Sequence, residues 1–200
     1  MTTLDEARPG QSPVPARVAA VAGGICAAFG AVFLIGWLLG DGGAAFVSSR
    51  MKANTALGYA LVGAAIVAQA LRARERDRAP HPRSARTDAA GLASPILAAV
   101  AAAVAIATAI EYAVDVDLGL DELIARDPDV VRETDGRPGR LAPNTALAIG
   151  GLALAVLTAQ VRRLGAVSQL FSCVVLAVGT LPVTAAKAEY GEMRMNDVGR

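Results

Sequence analysis

Long stretches without charged residues alternate with short charged connections along this 200-residue chain. Each stretch is close in length to the ~20 apolar residues that an α-helix needs to cross a bilayer. Buried helices of soluble domains keep a charged outer face, which these stretches lack. The pattern predicts an all-α integral membrane protein with about five transmembrane helices, over residues 18–40, 53–71, 89–110, 143–161 and 164–186.

The segments around these spans complete a single five-span membrane domain, residues 18–190. Residues 1–17 contain three prolines and are predicted to form an extended cytoplasmic arm. We do not predict a cleaved signal peptide here, because the apolar run that follows is longer than the hydrophobic core of a signal peptide. Residues 187–200 are predicted as an outer C-terminal tail. The leucines and isoleucine of residues 118–125 predict a short amphipathic helix on the outer membrane surface.

Arginines set the expected orientation. Six of them follow the second span, at Arg72, Arg74, Arg76, Arg78, Arg83 and Arg86. Arg162 and Arg163 lie between the fourth and fifth spans, on the same side of the membrane in this topology. Because basic residues near span ends stay inside, we expect a bacterial inner-membrane protein with a cytoplasmic N-terminus and a periplasmic C-terminus. The six arginines are also candidate contacts for lipid or a partner, although the interleaved Glu75 and Asp77 favour a plain topology role.

A short sequence recurs at a spacing of 90 residues. Asn54 and Thr55 begin an Asn-Thr-Ala-Leu sequence, and Asn144 and Thr145 begin an identical copy. Each copy opens a predicted span. Asparagine is a strong helix N-cap, so all four residues are predicted to be structural helix caps. The internal repeat unit is a span, an aromatic end, an outer loop and a returning span.

Aromatic residues close the outward-running spans. Trp37, Tyr112 and Tyr190 lie at the predicted outer ends of spans one, three and five, where amphipathic rings anchor well in the interface. Glu111, beside Tyr112, is expected to reach water at this end. Three glutamines near the inner ends of spans are expected to hydrogen-bond between helices, namely Gln69, Gln160 and Gln169.

The amino-acid composition limits the kinds of ligand and reaction that the chain is expected to support. Apolar residues make up 54% of the chain and charged residues 18%, with a net charge of +1 that favours no nucleic-acid partner. The single histidine, His81, and the separated Cys26 and Cys173 form no metal-ligand or redox motif. No hydrolase arrangement is present either, so we predict no enzyme activity, no metal and no cofactor. Bound lipid or a peripheral pigment remains compatible with the spans.

Four sequence features together resemble a known family. They are the repeated Asn-Thr-Ala-Leu spans, the preceding Met51 or Pro143, the Glu111-Tyr112 end and the Asp-Leu-Gly-Leu-Asp sequence at 117–121. Residues 18–190 resemble the multi-pass membrane sensor region that lies upstream of PAS, histidine-kinase and diguanylate-cyclase modules in bacteria. That resemblance implies an even number of spans followed by a catalytic output domain. For this chain we expect five spans, without the sixth span and the output domain of that family, so the resemblance assigns no catalytic or ligand-binding residue.

Two functions follow as hypotheses. The first is a non-catalytic accessory or structural subunit of a larger inner-membrane complex, photosynthetic or respiratory, with other membrane subunits and lipid as partners. The alternative is a truncated sensor that signals through a separate cytoplasmic partner. A transporter or channel is disfavoured, because the spans lack charged midplane residues and paired broken helices.

Overall fold

The computed structural model describes residues 14–39, 51–78, 85–119, 124 and 141–180. The secondary structure within these residues is helical throughout, which confirms the predicted all-α class. The five helices are α1 (Val14–Leu38), α2 (Ala53–Arg78), α3 (Ala85–Val114), α4 (Pro143–Ala159) and α5 (Gly165–Thr180). A 3-10 turn, Arg162–Leu164, joins α4 to α5.

Three helices are long and apolar enough to cross a membrane. Their apolar parts are Pro15–Leu38, Ala53–Glu75 and Gly91–Val114, of 24, 23 and 24 residues. The helices α4 and α5 are also apolar but shorter. At 1.5 Å per residue, α4 is about 25 Å long.

Several helix ends differ from the predicted span ends. α1 begins at Val14, so residues 14–17 are helical and do not belong to an extended arm. Pro15 lies in the first turn, where its missing N–H leaves no helical bond unmade. α3 begins at Ala85 rather than at residue 89, so Pro95 lies further from the start of the helix than predicted. By contrast, α2 and α4 begin at residues 53 and 143, as predicted.

The amphipathic helix predicted over residues 118–125 is wrong at its start. Asp115 and Gly119 have φ angles of 56° and 68°, which a right-handed helix excludes. The Asp117 carboxylate accepts a hydrogen bond of 2.8 Å from the Gly119 N–H, an Asx turn that replaces helical bonding. Ile124 lies in a bend and packs against Trp37, near the end of α1, and Ala53, at the start of α2. The other residues of this segment lie outside the described residues.

Successive helices pack as antiparallel neighbours. α1 contacts α2, α2 contacts α3, α3 contacts α4, and α2 also contacts α4. Alanine dominates the buried positions at these contacts, namely Ala56, Ala65, Ala98, Ala101, Ala105, Ala146 and Ala153. Without a hydrophobic driving force in lipid, helices associate through close backbone approach, which small side chains permit.

The closest approach is between α1 and α2, and glycine makes it possible. A Cβ atom on Gly30 would lie 2.5 Å from both the Ala56 carbonyl oxygen and the Ala60 amide nitrogen. Gly63 of α2 lies equally tightly against the main chain at Ala27 of α1. These contacts are with backbone atoms, which cannot swing aside as a side chain would. Gly24 differs, because nothing lies within 4 Å of the position its Cβ would take.

Gly30→Ala should therefore destabilise the α1–α2 pair, by about 1–3 kcal/mol, the usual cost of overpacking a tight interior. The measurement is the free energy of unfolding in mixed detergent micelles. Gly24→Ala is the matched control on the same helix, and it should leave that free energy unchanged or raise it by up to about 1 kcal/mol, because alanine favours a helix over glycine. Equal effects of the two substitutions would contradict the packing described above.

Candidate functional site: the two polar ends of the helical bundle

Polar side chains meet the main chain at both ends of the bundle. We call the end that contains Trp37, Met51, Tyr112 and Leu141 the aromatic end. The opposite end, which contains Arg72, Gly91, Ser94 and Gln160, is the arginine end. α1, α3 and α5 run from the arginine end toward the aromatic end, and α2 and α4 run back.

Trp37 is buried at the aromatic end, with only 5% of its surface exposed. Its indole Nε1–H donates a hydrogen bond of 2.9 Å to the Met51 carbonyl, just before α2. Phe33, Ala53 and Ile124 surround the ring. The expectation that Trp37 faces the membrane interface as an anchor is therefore wrong. The ring is enclosed because its N–H satisfies a carbonyl inside the protein and the loop residue Ile124 covers it.

Tyr112 makes the same kind of contact in the second half of the bundle. Its hydroxyl donates a hydrogen bond of 3.0 Å to the Leu141 carbonyl, and 39% of the residue remains exposed. Met51 and Leu141 occupy the same position relative to the two Asn-Thr-Ala-Leu copies. The aromatic residue near the end of one helix thus donates a hydrogen bond to the carbonyl three residues before each Asn-Thr-Ala-Leu copy. Tyr190, the third predicted anchor, lies outside the described residues.

The start of α4 corrects one of the predicted caps. The Ala146 N–H donates to the Ala142 carbonyl at 2.9 Å, so Ala142 occupies the N-cap position, in extended conformation and without a side-chain cap. Pro143 takes the first helical position, for which its fixed φ and missing N–H are suited. Asn144 lies within the first turn, and its Oδ1 accepts a hydrogen bond of 2.9 Å from the Thr145 N–H.

α2 begins in the same way. The Ala56 N–H donates to the Lys52 carbonyl at 3.0 Å, which makes Lys52 the N-cap residue. Asn54 and Thr55 are first-turn residues, and Asn54 is buried. The prediction of Asn54 and Asn144 as N-caps is thus two positions too late in each copy. An asparagine side chain bonds free amides well, but the backbone enters both helices two residues before it.

Glu111 departs furthest from expectation. It is fully buried rather than in contact with water, and its Oε1 accepts a hydrogen bond of 2.9 Å from the Leu118 N–H. An ionisable group at such a position needs bonded partners to offset its desolvation. Glu111 accordingly ties the segment after α3 to the helix end.

The arginine end contains a hydrogen-bonded network that joins three helices. The Arg72 Nη1 of α2 donates to the Gln160 Oε1 at 3.2 Å and to the Gly91 carbonyl of α3 at 3.4 Å. The Gln160 Nε2, at the end of α4, donates to the fully buried Ser94 Oγ at 3.1 Å. The interhelical role predicted for Gln160 is confirmed.

Pro95 explains why Arg72 reaches across to α3. A residue at position 95 of a regular helix would donate its N–H to the carbonyl of Gly91, four residues earlier. Proline has no N–H, so this carbonyl loses its helical donor. The Arg72 guanidinium donates to that same carbonyl. A sequence signal for this contact exists, since proline at position 95 implies a vacated acceptor at position 91.

The predicted contacts of the arginines with lipid or a partner stay a prediction, and one of the arginines has an additional role within the protein. Arg72 is half-buried and bonds to other helices, so it supports the bundle itself. Arg74 is half-buried as well. The side chains of Arg76, Arg78, Arg83 and Arg86 lie outside the described residues.

Two grooves open between the helices. One has a volume of about 700 Å³ and lies on the arginine-end half, between α1 and α5, with α2 and α4 as its floor. We call it the small-residue groove, from its lining, which includes Ala16, Ala19, Gln69, Ala73, Ser168 and Ser172. The second has a volume of about 380 Å³ and an apolar lining from α3, α4 and α5 that includes Ile106, Tyr112, Gly150 and Phe171.

Within the described residues, no three His, Cys, Asp or Glu side chains come together as a metal site would require. Neither a protein-family model, nor a curated protein, nor a solved structure matches this chain. The resemblance to the membrane sensor region therefore stays a prediction.

Tyr112→Phe removes the hydroxyl that bonds the Leu141 carbonyl and should cost about 0.5–1.5 kcal/mol of unfolding free energy. Tyr59→Phe is the matched control, because the Tyr59 hydroxyl makes no hydrogen bond to the described residues. Chemical unfolding in detergent, followed by circular dichroism, measures both. Equal losses, or none, would refute the bond's contribution.

A double-mutant cycle tests the link between Arg72 and Pro95. Arg72→Gln should cost about 1 kcal/mol in the native chain, because the Gly91 carbonyl then loses its donor. In a Pro95→Ala background the main-chain N–H of the new alanine supplies a helical donor, so the same substitution should cost at least ~0.5 kcal/mol less. Additive effects, measured by unfolding in detergent, would show that the two residues act independently.

Proposed function

We propose that this chain is a non-catalytic accessory subunit of a larger bacterial inner-membrane complex. In this proposal all five helices cross the membrane, with the N-terminus cytoplasmic. The short turn Arg162–Leu164 and the antiparallel order of the helices support the two further crossings. A helix about 25 Å long can span a core of about 30 Å with local thinning of the bilayer. The arginines at one end support the orientation.

The contrast between two lateral surfaces carries the proposal. One surface, on α1, exposes large aliphatic side chains, Val18, Val21, Ile25, Val32 and Ile35. Such residues suit contact with lipid tails. The small-residue groove instead presents six alanines, two serines and Gln69, beside Pro15, Ile66, Leu152 and Val156. Small and weakly polar residues are enriched where one membrane helix packs closely on another, not where a helix faces lipid.

A transmembrane helix of a partner subunit is the occupant that we propose for the small-residue groove. Its walls belong to α1 and α5 and its floor to α2 and α4. A helix with its own small-residue face would bring its backbone close to Ala19 and Ala73. The separate apolar groove offers room for a lipid chain or a peripheral pigment, which would fill a gap rather than take part in chemistry.

The test is purification of the chain from its host membranes in mild detergent, followed by native electrophoresis and mass-spectrometric identification of co-migrating chains. Ala19→Phe fills the small-residue groove, whereas the adjacent Val18→Phe enlarges the outward surface and is the matched control. We expect the native chain and Val18→Phe to migrate with multi-pass photosynthetic or respiratory subunits at fixed stoichiometry. Ala19→Phe should remain folded and migrate alone.

Two outcomes would contradict this proposal. Migration of all three chains as monomers or homodimers would leave no subunit role. Recovery of a kinase or cyclase, dependent on the arginines that follow α2, would favour the alternative of a sensor with a separate signalling partner.

A further inference from the structure

The Arg72 guanidinium uses only part of its hydrogen-bonding capacity. A guanidinium carries five N–H donors, two of them on Nη1. Both protein acceptors, the Gln160 Oε1 and the Gly91 carbonyl, are contacted by Nη1. The three N–H groups on Nε and Nη2 make no hydrogen bond to the residues that the structure describes. These two nitrogens form one edge of the planar group, and that edge presents two parallel N–H donors.

The position of Gly91 shows how the group is held. The Arg72 Cζ, Nε and Nη2 atoms lie 3.2, 3.3 and 3.5 Å from the place a Gly91 Cβ would occupy. Three nearly equal distances mean that the flat face of the guanidinium lies over Gly91. The Nε–Nη2 edge therefore lies to the side of α3 rather than against it. Stacking on Gly91 and bonding through Nη1 together fix this edge before any ligand arrives.

The charge of Arg72 has only neutral partners. The group is half-buried, and no carboxylate of the described residues forms an ion pair with it. A partly desolvated cation with neutral partners is stabilised by any anion that reaches it. Over residues 72–88 the sequence has six arginines, Arg72 among them, and three acidic residues. This positive balance also favours an anion as the ligand.

We propose that the Nε–Nη2 edge of Arg72 binds the phosphate group of an anionic membrane phospholipid. Two parallel N–H groups match two phosphate oxygens, the bidentate geometry for which arginine is preferred over lysine. Arg72 directly follows the exposed Leu71, where the apolar run of α2 ends. In the membrane topology proposed above, on which this assignment rests, the edge lies at the depth of lipid headgroups, which favours a lipid over free phosphate as the source.

The test compares full-length chains in nanodiscs of phosphatidylcholine alone and of phosphatidylcholine with phosphatidylglycerol. The readouts are the melting temperature in each disc and the phosphatidylglycerol retained in native mass spectrometry. Arg72→Lys keeps the charge and a donor for the neutral acceptors but loses the paired edge. Arg72→Gln removes the charge, and Arg74→Gln is the control, which removes a neighbouring charge of the same helix.

We expect phosphatidylglycerol to raise the melting temperature of the native chain and of Arg74→Gln. For Arg72→Lys this rise should vanish, with retention of the lipid about tenfold weaker. A purely structural role for Arg72 would instead lower stability equally in both kinds of disc. If Arg72→Gln does not fold, the comparison of Arg72→Lys with the native chain tests the proposal by itself.

Equal loss of the phosphatidylglycerol effect in the Arg72 and Arg74 variants would overturn the proposal, since it would indicate attraction by charge alone. Full retention of the effect in Arg72→Lys would overturn it too. A second arm adds inorganic phosphate to the lipid-free protein in detergent. Stabilisation by phosphate that needs Arg72, with none from phosphatidylglycerol, would keep the phosphate site but overturn its assignment to lipid.

Discussion

Main-chain carbonyls in an apolar surrounding have no water to bind, and this constraint governs how the helices of this protein meet. Each helix is joined to the next one along the chain by a side chain of one helix. That side chain donates a hydrogen bond to a main-chain carbonyl of the other helix, or to a carbonyl just before that helix begins. Cys26 and Trp37 reach carbonyls at Tyr59 and Met51, on α2 and just before it. The other donors are Arg72 to Gly91, Tyr112 to Leu141 and Ser168 to Ala155.

Such bonds require that backbones approach closely, and the alanine-rich contacts supply that approach. Gly30 and Gly63 bring α1 and α2 into main-chain contact, and Gly150 of α4 lies close to the Ala105 side chain of α3. Where packing is tightest, the helices need little side-chain interdigitation to stay together. The small-residue groove uses the same side-chain types, and none of the described residues fills it, which is why we propose another subunit's helix as its occupant.

The sequence predicts the helices well because their causes are local. Charge-free runs define them, and the starts of α2 and α4 follow from the Asn-Thr-Ala-Leu copies. Partners across the bundle are harder to foresee. An aromatic residue at a span end, such as Trp37, is as compatible with lipid as with a neighbouring carbonyl. The span predicted over residues 89–110 already contains Pro95 and the vacated acceptor at Gly91, but the sequence does not show that Arg72 of another helix donates to it.

The central claim is that the aromatic and arginine ends lie on opposite sides of a bilayer. Single cysteines at Val116 and Arg163, in a chain with Cys26 and Cys173 changed to alanine, test it through labelling of spheroplasts with a membrane-impermeant maleimide. Val116→Cys should react in intact spheroplasts, and Arg163→Cys only after the membrane is permeabilised. Equal reaction at both positions in intact spheroplasts, or a chain found soluble without detergent, would contradict the account.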